Sequence, residues 1–326
     1  MKILAANPDG GAFYYIINGY IKAFEAHGHI AKRWNGNLKE LREFKPDLYF
    51  GSSGWIQDLP LERDFCVCLH VNPYGDKIGS ISSGPIIDES EQIIQKVAKI
   101  KPDRVWGYFS EPQRKYWKNW ENILNIPALP LPTAADHFLF KQTSTIKQYD
   151  IGFIGGRWPY KSINIDKYLL PALKKFKYKI AGWGGWPDNI SSGTTTDPEV
   201  VELLSESLIA PCICEPHTTI YGIDVPERIF KVSLCGALAI SDIFKDIEYL
   251  FPNNMIPIAD TPEKYSELIK YYLDHSEERE ELVKKQREYI LNTHTYVHRT
   301  YEILKSIGYN YRDPLEIING IKSQEV

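Results

Sequence analysis

The chain predicts an α/β fold of two doubly wound, parallel-sheet domains, on three observations. Short apolar β-like runs alternate with amphipathic helical stretches over almost the whole length, the pattern of repeated βαβ units. At 326 residues the chain exceeds the size at which one core usually keeps growing, so two domains are expected. Near the middle, the proline-rich run IPALPLPTAADHFLF cannot sustain a helix and closes the first series, and the polar KQTSTIKQ at 141–148 reads as a linker.

The first series places strands at Lys2–Ala6, Ile30–Trp34, Leu48–Gly51, Phe65–Val71 and Arg104–Tyr108. Between them, helical periodicity covers Ala12–His27, Leu38–Phe44, Ser90–Ile100 and Pro112–Ile123. A second series follows the linker. Strands are expected at Tyr149–Gly155, Tyr178–Gly182 and Ile209–Cys214, with helices at Ile163–Lys175 and Val200–Ser207. The last helices, Pro262–His275, Glu277–Thr293 and Tyr296–Ile307, carry charges in i,i+4 relation, as outer helices do. The expected domains are therefore 1–140 and 149–307, with a cleft between the carboxyl ends of their strands.

Composition narrows the functional classes. A chain that is 43% hydrophobic and 25% charged is an ordinary globular protein. The net charge of −4 argues against binding nucleic acid through an overall positive field. No stretch is long enough to span a bilayer, and MKILAANPDGGAFYY has too short an apolar run for a signal peptide, so a cytoplasmic location is expected. The five cysteines agree. Cys66 with Cys68 and Cys212 with Cys214 alternate on strands as small buried hydrophobes, and their spacing does not suit zinc.

The most informative stretch is YGIDVPERIFKVSLCGALAISD, residues 221–242. Asp224 followed by Glu227 has the form of a capping box, Pro226 suits the first turn, and Gly236 ends the helix, before a buried strand closing on polar residues. Such a helix end offers free N–H groups to an anion, and Arg228 adds a formal charge. A diphosphate suits that end.

PERIFKVSLCGALAISD, with the downstream IADTPEKYSELIKYYLDHSEEREELVKKQREYILNTHTYVHRTYEIL, resembles the C-terminal domain of GT-B glycosyltransferases, over about residues 148–306. The nearest likeness is to the spore-maturation, CgeB-like branch related to glycosyltransferase family 4. The resemblance implies two Rossmann-like domains facing a central cleft, with residues 308–326 crossing back to the first domain. It also implies sugar transfer from a nucleotide-diphosphate sugar, UDP- or GDP-linked, to a carbohydrate, glycoconjugate or other hydroxyl acceptor. Retention at the anomeric carbon, with no metal and no permanently bound cofactor, is implied as well.

Candidate site residues follow. In GFIGGRWPYKS, Gly155 and Gly156 let a ligand approach the backbone, and Arg157 and Lys161 match the Gly-Arg…Lys segment that neutralises the leaving diphosphate in family 4. An ordinary solvated turn is the alternative. Where the family carries a ribose-binding Glu, this chain has Lys231, which cannot accept a hydrogen bond. Glu227, one turn earlier, would take over that role or merely pair with Lys231. An ungapped count places the first carboxylate of the family's E-x₇-E motif on Ile223, so Asp224 is either helix cap, catalytic carboxylate or both.

Weaker candidates complete the set. Trp183 and Trp186, in AGWGGWPD, are set to stack on a base or sugar or to fill the core. Thr218, Thr219 and Tyr221, with Gly222, lie in an expected loop within reach of donor hydroxyls. Asp9, Gly10 and Gly11 occupy the place of the glycine loop that approaches donor phosphate in related enzymes, and His70 with Asn72 ends a buried strand at the substrate cleft. Two other readings stand beside transfer: a GT-B nucleotide-sugar epimerase, and a nucleotide-sugar-binding module without activity.

Overall fold

A computed structural model describes residues 1–6, 12–52, 59, 60, 62–73, 91–187 and 190–322. Gly10 and Gly11, with Asp9, lie outside the described residues. Contacts divide the chain into two units. One contains the chain through Thr133 together with His294 onward, and the other runs from Ala134 to Thr293.

In the first unit, β1 (Lys2–Ala6), β2 (Ile30–Trp34), β3 (Leu48–Ser52), β4 (Cys66–His70), β5 (Arg104–Gly107) and β6 (Ala128–Pro130) form one sheet in the order β2-β1-β3-β4-β5-β6. Every pairing is parallel. Edge strand β6 falls inside the proline-rich run that the sequence reading left without a strand. Its one proline, Pro130, costs little there, because an edge strand has one ladder to satisfy.

The second unit repeats the plan with β7 (Tyr149–Ile154), β8 (Tyr178–Ala181), β9 (Ser207–Cys212), β10 (Leu238–Asp242) and β11 (Ile258–Ala259), in the order β11-β10-β9-β7-β8. All its pairings are parallel too. The α/β class is as expected, with two doubly wound parallel sheets. Every residue of β10 is buried, Ser241 and Asp242 included, as befits a strand covered on both faces.

Three boundaries differ from the sequence reading. The chain returns to the first unit at His294, ahead of the expected 308, because Tyr296–Ser306 carries an apolar stripe that packs on the helix Ala12–Ala26. Tyr296 lies 4.8 Å from Tyr20, centroid to centroid, and its ring sits where a Cβ on Gly19 would be. Secondly, residues 141–148 belong to the second unit: Lys147 Nζ donates to Ser205 O and Gly236 O, both at 2.7 Å. Thirdly, the single helix expected at 163–175 begins at Pro159 and contains a π-turn over Ile165–Leu169. There Leu170 N donates to Ile165 O, and the next residue, Pro171, has no N–H to continue an α-helical ladder.

The strand that leads into the site is held from behind. Gln286 is fully buried in the helix Ser276–Thr293, accepts from Ala239 N at 3.1 Å, and donates to Ala239 O at 3.0 Å and Met255 O at 2.9 Å. It serves β10 as a side-chain substitute for a neighbouring strand. Gln286→Ala leaves a buried N–H and carbonyls unpaired, so urea denaturation is expected to show a loss of about 2–4 kcal/mol. A loss below about 0.5 kcal/mol, the scale of surface changes, would contradict this account.

Candidate functional site

In the second sheet the chain leaves β7 to one side for β8 and returns to the other for β9, so the loops after β7 and β9 diverge. Ligands of open parallel sheets bind at such a switch point, beyond the carboxyl ends of the strands. The loop after β7 carries Gly155, Gly156 and Arg157 and leads into the short helix Pro159–Asn164, with Lys161. After β9 come Glu215, the short helix Pro216–Tyr221, and then Arg228.

Arg228 is 7% exposed, and its neighbours are unusual for a buried guanidinium. Its Nε donates to Ile154 O at 2.7 Å, and its Cζ lies 4.3 Å from the centre of the Phe153 ring. Nη1 is buried and has no hydrogen-bond partner. A Cβ on Gly155 would stand 2.5 Å from Nη2, so this glycine makes the room for the guanidinium. Burial lowers the Arg228 pKa. Lys161 lies within electrostatic reach, and burial of its ammonium, reinforced by the Arg228 charge, brings it down to about 8.

The frame around these cations is polar and tight. Asp242, at the end of β10, is 1% exposed; Oδ1 accepts from Cys214 N at 2.9 Å and Oδ2 from Asn164 Nδ2 at 3.2 Å. Asn164 Nδ2 also lies 3.0 Å from Cys214 O and 3.5 Å from Thr219 Oγ1. The helix carrying Lys161 is thereby tied to the ends of both β9 and β10. Burial pushes the Asp242 carboxyl up to about 7, although the bonds from Cys214 oppose the rise. Glu215 and Asp242 are the carboxylates that act on Lys161.

Several sequence candidates sit differently from expectation. Asp224 is not a helix cap: its φ is 54°, in the left-handed region, and Oδ2 meets His217 Nε2 at 3.3 Å. The helix starts at Arg228 with Glu227 as its cap, runs only to Lys231, and gives way to a 3-10 turn, Ser233–Cys235. One turn of helix has too little aligned dipole to make the anion site read from the capping box. Gly236, φ 83°, does end the segment. The expected loop holding Thr218, Thr219 and Tyr221 is the helix Pro216–Tyr221, which Gly222 closes at φ 73°. Thr218 is fully buried and donates to Asp224 O at 3.3 Å.

Arg157 does not join Arg228. Its guanidinium holds both oxygens of Asp166, Nε to Oδ1 at 2.8 Å and Nη2 to Oδ2 at 2.6 Å, and Nη1 donates to Gly185 O. Asp166 raises the Arg157 pKa. Trp183 is 58% exposed and lies against Gly156, where an added Cβ would stand 2.7 Å from the indole. Trp186 turns inward, edge-on to Phe153 at 5.8 Å. Glu227 and Lys231 pair at 2.9 Å with both side chains largely buried, and the Lys231 ammonium lies 4.4 Å from the Phe140 ring. His70 belongs to the first unit, where Trp106 and Tyr108 lie at 4.7 and 4.6 Å.

Residues 165–305 match the model of a family described as glycosyl transferase-like. The fold is that of the GT-B glycosyltransferases. Structures similar over nearly the whole chain are of the GT-B fold. They include Anabaena Alr3699/HepE in complex with UDP-glucose, at 11% identity and TM-score 0.59, over 94% of this chain and 100% of that one. Sucrose-phosphate synthase from Thermosynechococcus elongatus matches at 13% identity and TM-score 0.64, over 94% and 98%. T4 phage BGT, in complex with its UDP-glucose substrate, matches at 10% identity and TM-score 0.59, over 99% of both chains. No curated protein is significantly similar in sequence.

The glycosyl transferase-like stretch contains Arg228 and two site residues that the sequence reading did not single out, Asp242 and Glu215; a third, Asn164, stands just before it. Asp242 left a signal, since a polar pair closing an apolar strand is uncommon; Asn164 left none. The guanidinium pocket can be tested directly. Gly155→Ala should destabilise by about 1–3 kcal/mol through overpacking. In a double-mutant cycle with Arg228→Ala, at least about 1 kcal/mol of that loss should vanish, and additive losses would place the clash elsewhere.

Proposed function

We propose that the chain transfers a sugar from a nucleotide-diphosphate sugar to a hydroxyl acceptor, and that Lys161 and Arg228 receive the diphosphate. The observation that carries this is the buried Arg228 guanidinium at the switch point of the sheet, its Nη1 lacking a partner, with Lys161 in the helix that follows the β7 loop. A buried guanidinium with an unpartnered nitrogen is costly to the fold. A ligand with two negative charges relieves it.

Glycosyl transfer breaks the bond from the anomeric carbon to the diphosphate oxygen while a bond to the acceptor oxygen forms. Positive charge grows on the sugar and negative charge on the leaving group, so fixed cations aimed at the latter lower the barrier. Lys161 and Arg228 fill that role without a metal ion. Retention of configuration, and membership of the CgeB-like branch, follow from the sequence resemblance. UDP-glucose, the ligand of both HepE and BGT, is the first donor to try, and a GDP-sugar suits the same charges. The acceptor is a carbohydrate, glycoconjugate or other hydroxyl compound. Arg157, Trp183 and Glu227 are proposed as donor contacts of lesser weight, with Asp224 and His70 as acceptor-side groups. Gly156, Thr218, Thr219, Tyr221 and Gly222 are proposed as further donor contacts, and Gly10 and Gly11 are proposed as such from the sequence resemblance alone.

A thermal-shift screen against UDP-, GDP-, ADP- and dTDP-sugars names the donor, since a ligand at 100 times its dissociation constant stabilises by about 2.7 kcal/mol. No shift with any of them would refute the proposal. Lys161→Met should cut sugar transfer by roughly 100-fold or more while leaving stability equal or higher, because it removes a confined charge. Arg157→Ala, whose guanidinium is engaged by Asp166, should cost less than tenfold by the same measure. Donor binding requires the Lys161 ammonium. Affinity is therefore expected to fall as pH rises through 8, by up to about tenfold per pH unit.

A further inference from the structure

Trp183, in the loop after β8, is 58% exposed, whereas tryptophan is on average a highly buried residue. Its backbone is nevertheless gripped. The ladder between β7 and β8 continues past both strand ends: Gly155 N donates to Ala181 O at 2.9 Å, Arg157 N to Trp183 O at 2.9 Å, and Gly185 N to Arg157 O at 3.1 Å. The residues on either side of the tryptophan, Gly182 and Gly184, have φ of 154° and 104°, and a Cβ on them would stand 1.9 Å from Gly155 O and 2.2 Å from Arg157 O. Only glycine permits so close an approach. An indole carried on so firm a backbone loses little freedom when a ligand covers it.

The indole lies against Gly156, where an added Cβ would be 2.7 Å from Cε2 and 2.8 Å from Nε1. The preceding residue, Gly155, makes the room for the Arg228 guanidinium, 2.5 Å from its own added Cβ to Nη2. Successive side-chain positions of an extended strand point to opposite sides, so indole and guanidinium flank one short piece of bare backbone. Consecutive Cα atoms are about 3.8 Å apart, which keeps the contacting atoms of the two groups within about 12 Å of each other. Neither glycine raises a side chain between them.

We propose that Trp183 is the platform on which the donor's nucleobase stacks, with the ribose over Gly155 and Gly156 and the diphosphate at Arg228. The inference rests on the proposed donor site and adds to it the place of the base. A nucleoside diphosphate laid across the end of β7 spans the gap between the two groups. The order of the groups matches the ligand: an aromatic surface suits the one flat aromatic part of a sugar nucleotide, and a guanidinium suits its phosphates. Trp186, the other tryptophan of this loop, packs edge-on against Phe153 at 5.8 Å and belongs to the core. Every base presents a π face, so the indole holds uracil or guanine without choosing between them.

The test is calorimetric titration of the unaltered protein, Trp183→Ala and Trp183→Phe with UDP-glucose, with GDP-glucose and with inorganic pyrophosphate, which has the charges without the base. Trp183→Ala should bind the sugar nucleotides roughly 10- to 100-fold more weakly, and pyrophosphate within about twofold of the unaltered protein. Trp183→Phe keeps a smaller ring and should recover most of the loss. Tryptophan fluorescence gives a second readout: a base stacked on the indole quenches it, and Trp183→Phe should lose most of the quench that the sugar nucleotide produces. If pyrophosphate binds too weakly to titrate, the quench decides. Unchanged affinity in Trp183→Ala, an equal loss for pyrophosphate, or a quench undiminished in Trp183→Phe overturns the inference and leaves the donor site standing. No binding of either sugar nucleotide to the unaltered protein overturns both.

Discussion

The second unit is organised around the confinement of two like charges. Lys161 and Arg228 come from loops on either side of the switch point, and each would be better solvated elsewhere. What keeps them in place is attachment to well-packed elements, and for Arg228 the bond from Nε to Ile154 O as well. The site is thus built at some expense to the fold, as functional sites commonly are.

The strand ends share this work unequally. β7 supplies the ring of Phe153 beneath the guanidinium, the carbonyl of Ile154 for its Nε, and at Gly155 the absence of a side chain. A cation over a ring face is electrostatically favourable and needs no water. β10 supplies a carboxyl too buried to meet solvent and too well bonded to move. The geometry of the strand ends is therefore decided by these same residues.

Much of the architecture was legible beforehand. The alternation of apolar and amphipathic runs located strands such as Lys2–Ala6 and Ile30–Trp34 to the residue, since a buried parallel strand is an apolar run with a defined end. Short elements were not. β6 and β11 have three and two residues, too few to show a period, and the helix at 228–231 has a single turn. The capping-box reading of Asp224 failed because the side chain found His217 instead, a partner seven residues earlier whose approach depends on the intervening helix.

From its residues alone the chain determines the α/β class, the two sheets and the glycosyl transferase-like character, because these rest on periodicities and local patterns that neighbouring residues carry together. Tertiary structure alone decided which charges meet. Arg157 and Lys161, four residues apart, part company, one to Asp166 and the other toward Arg228, sixty-seven residues away in the chain. Electrostatic energy depends on distance in space and on burial. Neither is encoded in spacing along the chain.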